Sequence, residues 1–256
     1  MNAEGRIAKA FAKANAEGRG AFVAYITMGC PDMEKSEAAV DALVAGGADA
    51  IELGVPFSDP LADGATIRTA AYKALENGTT LDDVLAAAKR LRKRHPETGF
   101  VLFSYYNVIY AKGLEKFADE AEASGIDAVL CVDLPLEERE ELLRVLRPHG
   151  ISYVPLIAPN TPLERVKRCA EGLENTFLYA ITVKGVTGAR AELPADLVAR
   201  LDEIRNATHL PVAAGFGIST AAQAAEVSAH ADGFVVGSAL VERLLKEGAI
   251  EGPLLT

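Results

Sequence analysis

The segment Asp49–Gly64, DAIELGVPFSDPLADG, sets acids in two different surroundings. Glu52 sits inside an apolar, β-branched run, whereas Asp59 and Asp63 fall among Pro56, Pro60 and Gly64. Side chains alternate faces along a strand, so Glu52 shares a face with Ala50 and Gly54, and Ile51, Leu53 and Val55 take the other. A carboxyl group turned into an apolar interior loses hydration, its pKa rises, and it can then both give and accept a proton near neutrality. General acid/base catalysis needs this property. The competing reading is a buried glutamate satisfied by backbone donors or a neighbouring hydroxyl. Asp63 before Gly64 and Asp59 before Pro60 each read either as turn formers or as further acids of a site.

A second signal lies in the last third of the chain. GVTG (185–188), GFGIS (215–219) and VGSA (236–239) each follow an apolar run. Glycine-rich loops let backbone N–H groups approach an anion, and a helix N-terminus adds its dipole, so these loops point to a phosphate. Lys184 could form a Schiff base on such a scaffold. Its phase opposes this, because Tyr179, Ile181 and Val183 share one face and Lys184 falls on the other. The four histidines, His95, His149, His209 and His230, lie at helix ends or in connections, and Ser58 and Ser238 have no histidine partner in view. Metal binding and serine hydrolysis are therefore unsupported.

These residues need elements to position them. Eight short apolar runs begin near Ala21, Asp49, Gly99, Asp127, Ser152, Phe177, Pro211 and Asp232. Amphipathic helical patterns lie between them, among them MEKSEAAVDALVAGG, LEKFADEAEASG, LEEREELLRVLRPHG and TPLERVKRCAEG, several ending in glycine. Strands buried on both faces and alternating with helices pair in parallel. Eight of them within 256 residues predict an α/β fold, a (β/α)8 TIM barrel, as one domain over residues 1–256. In such barrels chemistry occurs at the C-terminal strand ends, and phosphate binds at the loops after strands 7 and 8. The dinucleotide-binding alternative lacks its fingerprint, since GFGIST has Thr220 in place of the third glycine.

Composition narrows the class further. Half of the residues are hydrophobic, enough for a sizeable core, and a net charge of −10 opposes nucleic-acid binding. The basic run KRLRKRHPE (89–97) reads as the solvated C-terminal end of a helix. Cys30, Cys131 and Cys169 are widely spaced, which predicts a reducing compartment and no structural zinc. No stretch reads as a signal peptide or a membrane span, so the expected location is the cytoplasm.

The segment ELGVPFSDPLADG resembles the signature of the tryptophan synthase α subunit family, and GVTG, GFGIS and GSA follow in that family's order and spacing. The resemblance runs from AFVAYITMG to VVGSALVERL. It implies a lyase of tryptophan biosynthesis that cleaves indole-3-glycerol phosphate to indole and glyceraldehyde 3-phosphate by a retro-aldol route. It implies no cofactor on this chain, and pyridoxal phosphate on a β subunit that partners it in an α2β2 heterotetramer. Carried over residue by residue, Glu52 is the acid/base and Asp63 stabilises charge on the indole nitrogen. Gly188, Gly215, Gly217, Gly237 and Ser238 hold the phosphate. Tyr25, Tyr105, Leu130, Phe216 and Val235 line the indole and glycerol pocket, with Tyr179 close to Glu52. Thr187 bonds Asp63 when the sixth loop closes, and Pro56, Asp59 and Pro60 face the partner. The sequence departs from the family at Val183, where some relatives carry arginine, and at Cys30. The alternatives are another phosphosugar barrel lyase or aldolase, and a weakly catalytic phosphate-binding subunit that activates a partner.

Overall fold

The computed structural model describes residues 5–181, 195–215 and 217–252. Each apolar run becomes a strand, save that SYVPLIAP becomes two, and each amphipathic pattern becomes a helix. The first half comprises α1 (Arg6–Ala16), β1 (Ala21–Thr27), α2 (Met33–Ala45), β2 (Ala50–Gly54), α3 (Ala65–Glu76), α4 (Leu81–Arg94), β3 (Gly99–Ser104), α5 (Tyr106–Lys112), α6 (Leu114–Ala123) and β4 (Ala128–Cys131). The second half comprises α7 (Arg139–Leu146), β5 (Ser152–Tyr153), β6 (Leu156–Ile157), α8 (Leu163–Ala170), β7 (Leu178–Ile181), α9 (Ala195–Ala207), β8 (Val212–Gly215), α10 (Ala221–Ser228), β9 (Gly233–Val236) and α11 (Ser238–Glu247).

The strands form one parallel sheet in the order β5-β4-β3-β2-β1-β9-β8-β7-β6. Its two edges, β5 and β6, are halves of a single stretch interrupted at Val154–Pro155. Proline has no N–H to give a ladder. The Val154 N–H still bonds the Val129 carbonyl at 2.9 Å, and the Pro155 carbonyl accepts from the Tyr179 N–H at 2.9 Å, so the chain itself joins the edges. The sheet therefore closes into the expected barrel, with its fifth stave broken at Pro155.

Alternation divides the strands into two apolar layers. Ile51, Leu53 and Val55 face the helices, as do Ile26, Phe100, Leu102 and Val129. Ala21, Val23, Ala50, Val101, Ala128, Leu130, Val154, Phe177, Ala213 and Val235 face the barrel axis. Ile7, Phe11 and Ala14 of α1 plug the N-terminal end of this inner layer, with Phe11 stacked on Phe177 at 5.2 Å. The floor of the inner layer is thus filled, and the cavity between the inward-facing side chains lies toward the C-terminal ends of the strands.

The same N-terminal end is tied by aspartates at strand starts. Asp49, Asp127 and Asp232 each take the backbone N–H of a residue in the neighbouring strand: Phe22 at 2.8 Å, Phe100 at 2.8 Å and Val212 at 2.9 Å. Each also meets arginine, namely Arg19, then Arg6 with Arg92, then Arg205. The reading of residues 89–97 as a solvated helix end holds for Lys89, Arg90, Lys93 and Arg94, which are exposed at the end of α4, and fails at Arg92. Arg92 is withdrawn from water, 2.6 Å from Asp127 and 4.3 Å above the Phe100 ring, and Arg90 and Arg94 pair with Glu37. Among the described residues, no helix is long and apolar enough to cross a membrane, and no group of three or more His, Cys, Asp and Glu is arranged to hold a metal ion.

Candidate active site

A cavity of about 170 Å³ opens at the C-terminal end of the barrel, lined by Tyr25, Glu52, Asp63, Ile67, Phe103, Tyr179, Gly215, Gly217, Val235, Gly237 and Ser238. Strand register explains the wall. Tyr25 and Glu52 are directly opposed on β1 and β2, both turned inward, and Gly54 opposes Phe103 one step beyond. Two tyrosines lean across glycines of the adjoining strands. A Cβ on Gly54 would lie 2.3 Å from the Tyr25 hydroxyl, and one on Gly215 would lie 2.3 Å from the Tyr179 hydroxyl. Only glycine leaves room for those rings.

The two acids have different environments. Glu52 is 1 % exposed, and its Oε1 has no hydrogen-bond partner among the described residues. Burial pushes its carboxyl up to about 8, and no cation or donor among the described residues opposes the desolvation. At pH 7 such a group is held mainly in its protonated form. Asp63 lies in the loop between β2 and α3, where the Pro60 carbonyl accepts its N–H at 3.1 Å. Burial raises its pKa too, but the Tyr105 hydroxyl, donating to Oδ2 at 3.0 Å, and the charge of Arg68 both act in the other direction. One acid is therefore held as a proton donor, and the other is supplied with groups that favour its charge.

Neighbouring phenols respond to both acids. Burial first, then the charge of Glu52, then that of Asp63 raise the Tyr179 pKa, and Tyr25 is raised by burial, then by Asp63 and by Glu52. Both remain neutral hydroxyls in the working pH range. On the opposite rim α11 starts at Ser238 with Gly237 before it, and no side chain caps that end. The first N–H groups of a helix have no intrahelical acceptor, and Gly217 stands nearby at φ +73° in the lining of the same cavity.

Most of the expected site residues meet here: Tyr25, Glu52, Asp63, Tyr179, Gly215, Gly217, Val235, Gly237 and Ser238. Two are placed differently. Leu130 is fully buried in the inner layer below the cavity. The Tyr105 hydroxyl is engaged by Asp63 and by the Ala62 N–H at 3.1 Å, with its ring stacked on Phe57 at 4.9 Å, so it braces the loop from outside the cavity. Phe103 and Ile67 line the space instead. Alternation from Val101 marks Phe103 as inward, whereas Ile67, in the first turn of α3, carried no such signal. Val183, Lys184, Thr187, Gly188 and Phe216 lie outside the described residues. Of the expected partner-facing residues, Asp59 is exposed and Pro56 and Pro60 are buried; the loop instead presents Leu61, 92 % exposed.

A larger cavity of about 270 Å³ lies on the helix side of the barrel, between the loops after β4 and β6. Its buried Arg139 is committed to backbone carbonyls of Arg168, Cys169 and Glu171 at the end of α8. That arginine is a helix cap, and the cavity has no counterpart to the Glu52–Asp63 pair.

A family model for the tryptophan synthase alpha chain matches residues 11–252. The chain belongs to the tryptophan synthase alpha chain family. A tryptophan synthase alpha chain from Erythrobacter litoralis is 46 % identical over 248 residues, which cover 97 % of this chain and 92 % of that one. The crystal structure of tryptophan synthase subunit alpha from Legionella pneumophila is similar with a TM-score of 0.89 at 35 % identity, covering 98 % of this chain and 94 % of that one. A chain of the tryptophan synthase α2β2 complex from Pyrococcus furiosus is similar with a TM-score of 0.84 at 41 % identity, over 90 % and 92 %. Membership of the tryptophan synthase alpha chain family agrees with the closed parallel barrel.

Proposed function

We propose that this chain is a lyase that cleaves indole-3-glycerol phosphate to indole and glyceraldehyde 3-phosphate. The observation that carries the reading is the pairing of a neutral, sealed Glu52 with a hydrogen-bonded Asp63 across one small cavity. Glu52 gives its proton to indole C3, and the ring becomes an iminium cation with positive charge on its nitrogen. Asp63 stabilises that charge. The Glu52 carboxylate then takes the proton of the hydroxyl on the carbon attached to C3. The C3–carbon bond pair returns to the ring, restoring indole, and the carbon becomes the aldehyde. Glu52 ends as it began, protonated, so no cofactor is required on this chain.

The phosphate is held by Gly215, Gly217, Gly237 and Ser238 through backbone N–H groups and the α11 dipole. The aromatic and aliphatic wall of Tyr25, Phe103, Tyr179, Ile67 and Val235 takes the indole and its chain. None of the cavity-lining residues is a lysine, which gives a Schiff-base aldolase no support from the described residues. The partner in this reading is a pyridoxal-phosphate-dependent β subunit, in an assembly like the Pyrococcus furiosus α2β2 complex. The exposed Leu61 and Tyr110, on the loop after β2 and the helix after β3, supply an apolar face for it at the barrel mouth.

Steady-state cleavage of indole-3-glycerol phosphate by wild type, Glu52→Gln and Asp63→Asn, with and without β subunit, tests the proposal. The expected result is near-complete loss in both variants with the fold retained. Substantial turnover by Glu52→Gln would overturn the acid/base role.

A further inference from the structure

We infer that the Tyr25 hydroxyl is a substrate-positioning group that hydrogen-bonds the middle hydroxyl of the glycerol phosphate chain, and so selects hydroxylated chains over deoxygenated ones. The inference rests on the lyase reading and adds to it a residue that reads the chain between phosphate and indole.

Three placements support it. Tyr25 stands between the two ends of the substrate: it opposes Glu52 on β2, while on its other side a Cβ on Gly237 would be 3.4 Å from the Tyr25 Cβ. A molecule with its phosphate at the start of α11 and its reacting carbon at Glu52 must run its chain past this ring. The hydroxyl on the reacting carbon is engaged by Glu52, which leaves the middle one for Tyr25.

The ring is held in place independently of any substrate. Phe103 meets it edge-on at 5.0 Å and 74°, and the absence of a side chain at Gly54 gives its hydroxyl a fixed seat. That hydroxyl bonds the buried Thr27 Oγ1 at 3.2 Å. A phenol can both donate and accept, so one such bond leaves it hydrogen-bonding capacity for a ligand. Burial and the two nearby acids keep the phenol protonated, so its donor is present throughout the working pH range.

A purely apolar wall would be served equally by phenylalanine, and this difference is the test. The probes are two analogues that cannot undergo the retro-aldol step because the carbon attached to C3 has no hydroxyl. One is 3-(indol-3-yl)propyl phosphate, with no chain hydroxyl, and the other retains only the middle hydroxyl. Inhibition constants are measured for wild type and Tyr25→Phe against cleavage of indole-3-glycerol phosphate. Wild type is expected to bind the hydroxylated analogue about tenfold more tightly, and Tyr25→Phe to lose that preference while binding the deoxy analogue as before. An unchanged preference in Tyr25→Phe, an equal weakening of both analogues, or no preference in wild type would each overturn the inference. Failure of wild type to cleave indole-3-glycerol phosphate would instead overturn the lyase reading, so the two failures are distinguishable.

Discussion

Glu52→Gln is expected to gain stability relative to wild type as pH rises. The group titrates at 4.5 when solvated and at about 8 in the folded chain, where burial alone raises it. Between those values the folded state holds a proton that the unfolded state has released. Stability contributed by the neutral carboxyl is fully present below pH 4.5 and is lost progressively as pH rises toward 8. Each pH unit inside this window costs about 1.4 kcal/mol, and integration from pH 5.5 to 8.5 gives about 3 kcal/mol. Glutamine keeps the shape but has nothing to titrate. Thermal midpoints of wild type and variant, taken at pH 5.5, 7.0 and 8.5, isolate the effect, because any pH-independent consequence of the amide cancels in the change of their difference. That difference should widen in favour of the variant by about 6–12 °C across the range, given about 2–4 °C per kcal/mol for a chain of this size. A difference that stays constant with pH would refute the idea that Glu52 is held neutral by desolvation. A difference that narrows would mean that the folded state favours the charged carboxylate.

Other consequences follow from the same geometry. Gly54→Ala places a methyl group 2.3 Å from the Tyr25 hydroxyl, so the ring must move; kcat/KM should fall about a hundredfold with the thermal midpoint much less affected. Tyr105→Phe removes the donor to Asp63 and the acceptor for the Ala62 N–H, and should cost about tenfold in kcat/KM and about 1 kcal/mol in urea denaturation. Leu61→Asp puts a charge on the most exposed apolar side chain of the mouth and should raise the Kd for the β subunit about tenfold in titration. Asp127→Ala removes the carboxylate partner of Arg92, whose charge is largely withdrawn from water, and the acceptor for the Phe100 N–H, and should destabilise the chain by about 3 kcal/mol without changing KM.

The barrel was legible because its strands are short, apolar on both faces and separated by helices of regular period. The broken fifth stave was also written in the sequence, in the proline of SYVPLIAP, but a proline says only that a ladder bond is missing and not that the two halves pair with different neighbours. For the site, alternation was sufficient for Glu52 and extends to Phe103. It stops at Ser104, where β3 ends, and Tyr105 becomes the residue before α5, so strand phase no longer governs where its ring goes. Asp63 was legible only through the family signature. Its environment is made by Tyr105, Arg68 and the turn at Pro60, and no local pattern encodes contacts across 42 positions. Leu61 was missed for a related reason: the family resemblance assigned Pro56, Asp59 and Pro60 to a partner surface, yet folding buries both prolines and leaves the leucine outward.

The strand that opens the site carries both ways of handling an acid. Asp49, at its start, receives two bonds from Arg19, at 2.6 and 2.8 Å, and one from the Phe22 N–H at 2.8 Å. Glu52, three positions later, has an oxygen with no partner among the described residues. The contrast is repeated at the scale of the barrel, since Asp127 and Asp232 are saturated in the same way as Asp49 at the N-terminal end. Burial of an ionisable group is costly unless it is paired, so the fold spends its arginines and strand-start N–H groups where an acid serves only to hold strands together. At the other end those partners are withheld, and the unpaired carboxyl keeps its proton. The destabilisation expected of Glu52 above pH 4.5 is thus the same physical fact as the retained proton on which the proposed acid/base role depends, and a substitution that removes one must remove the other.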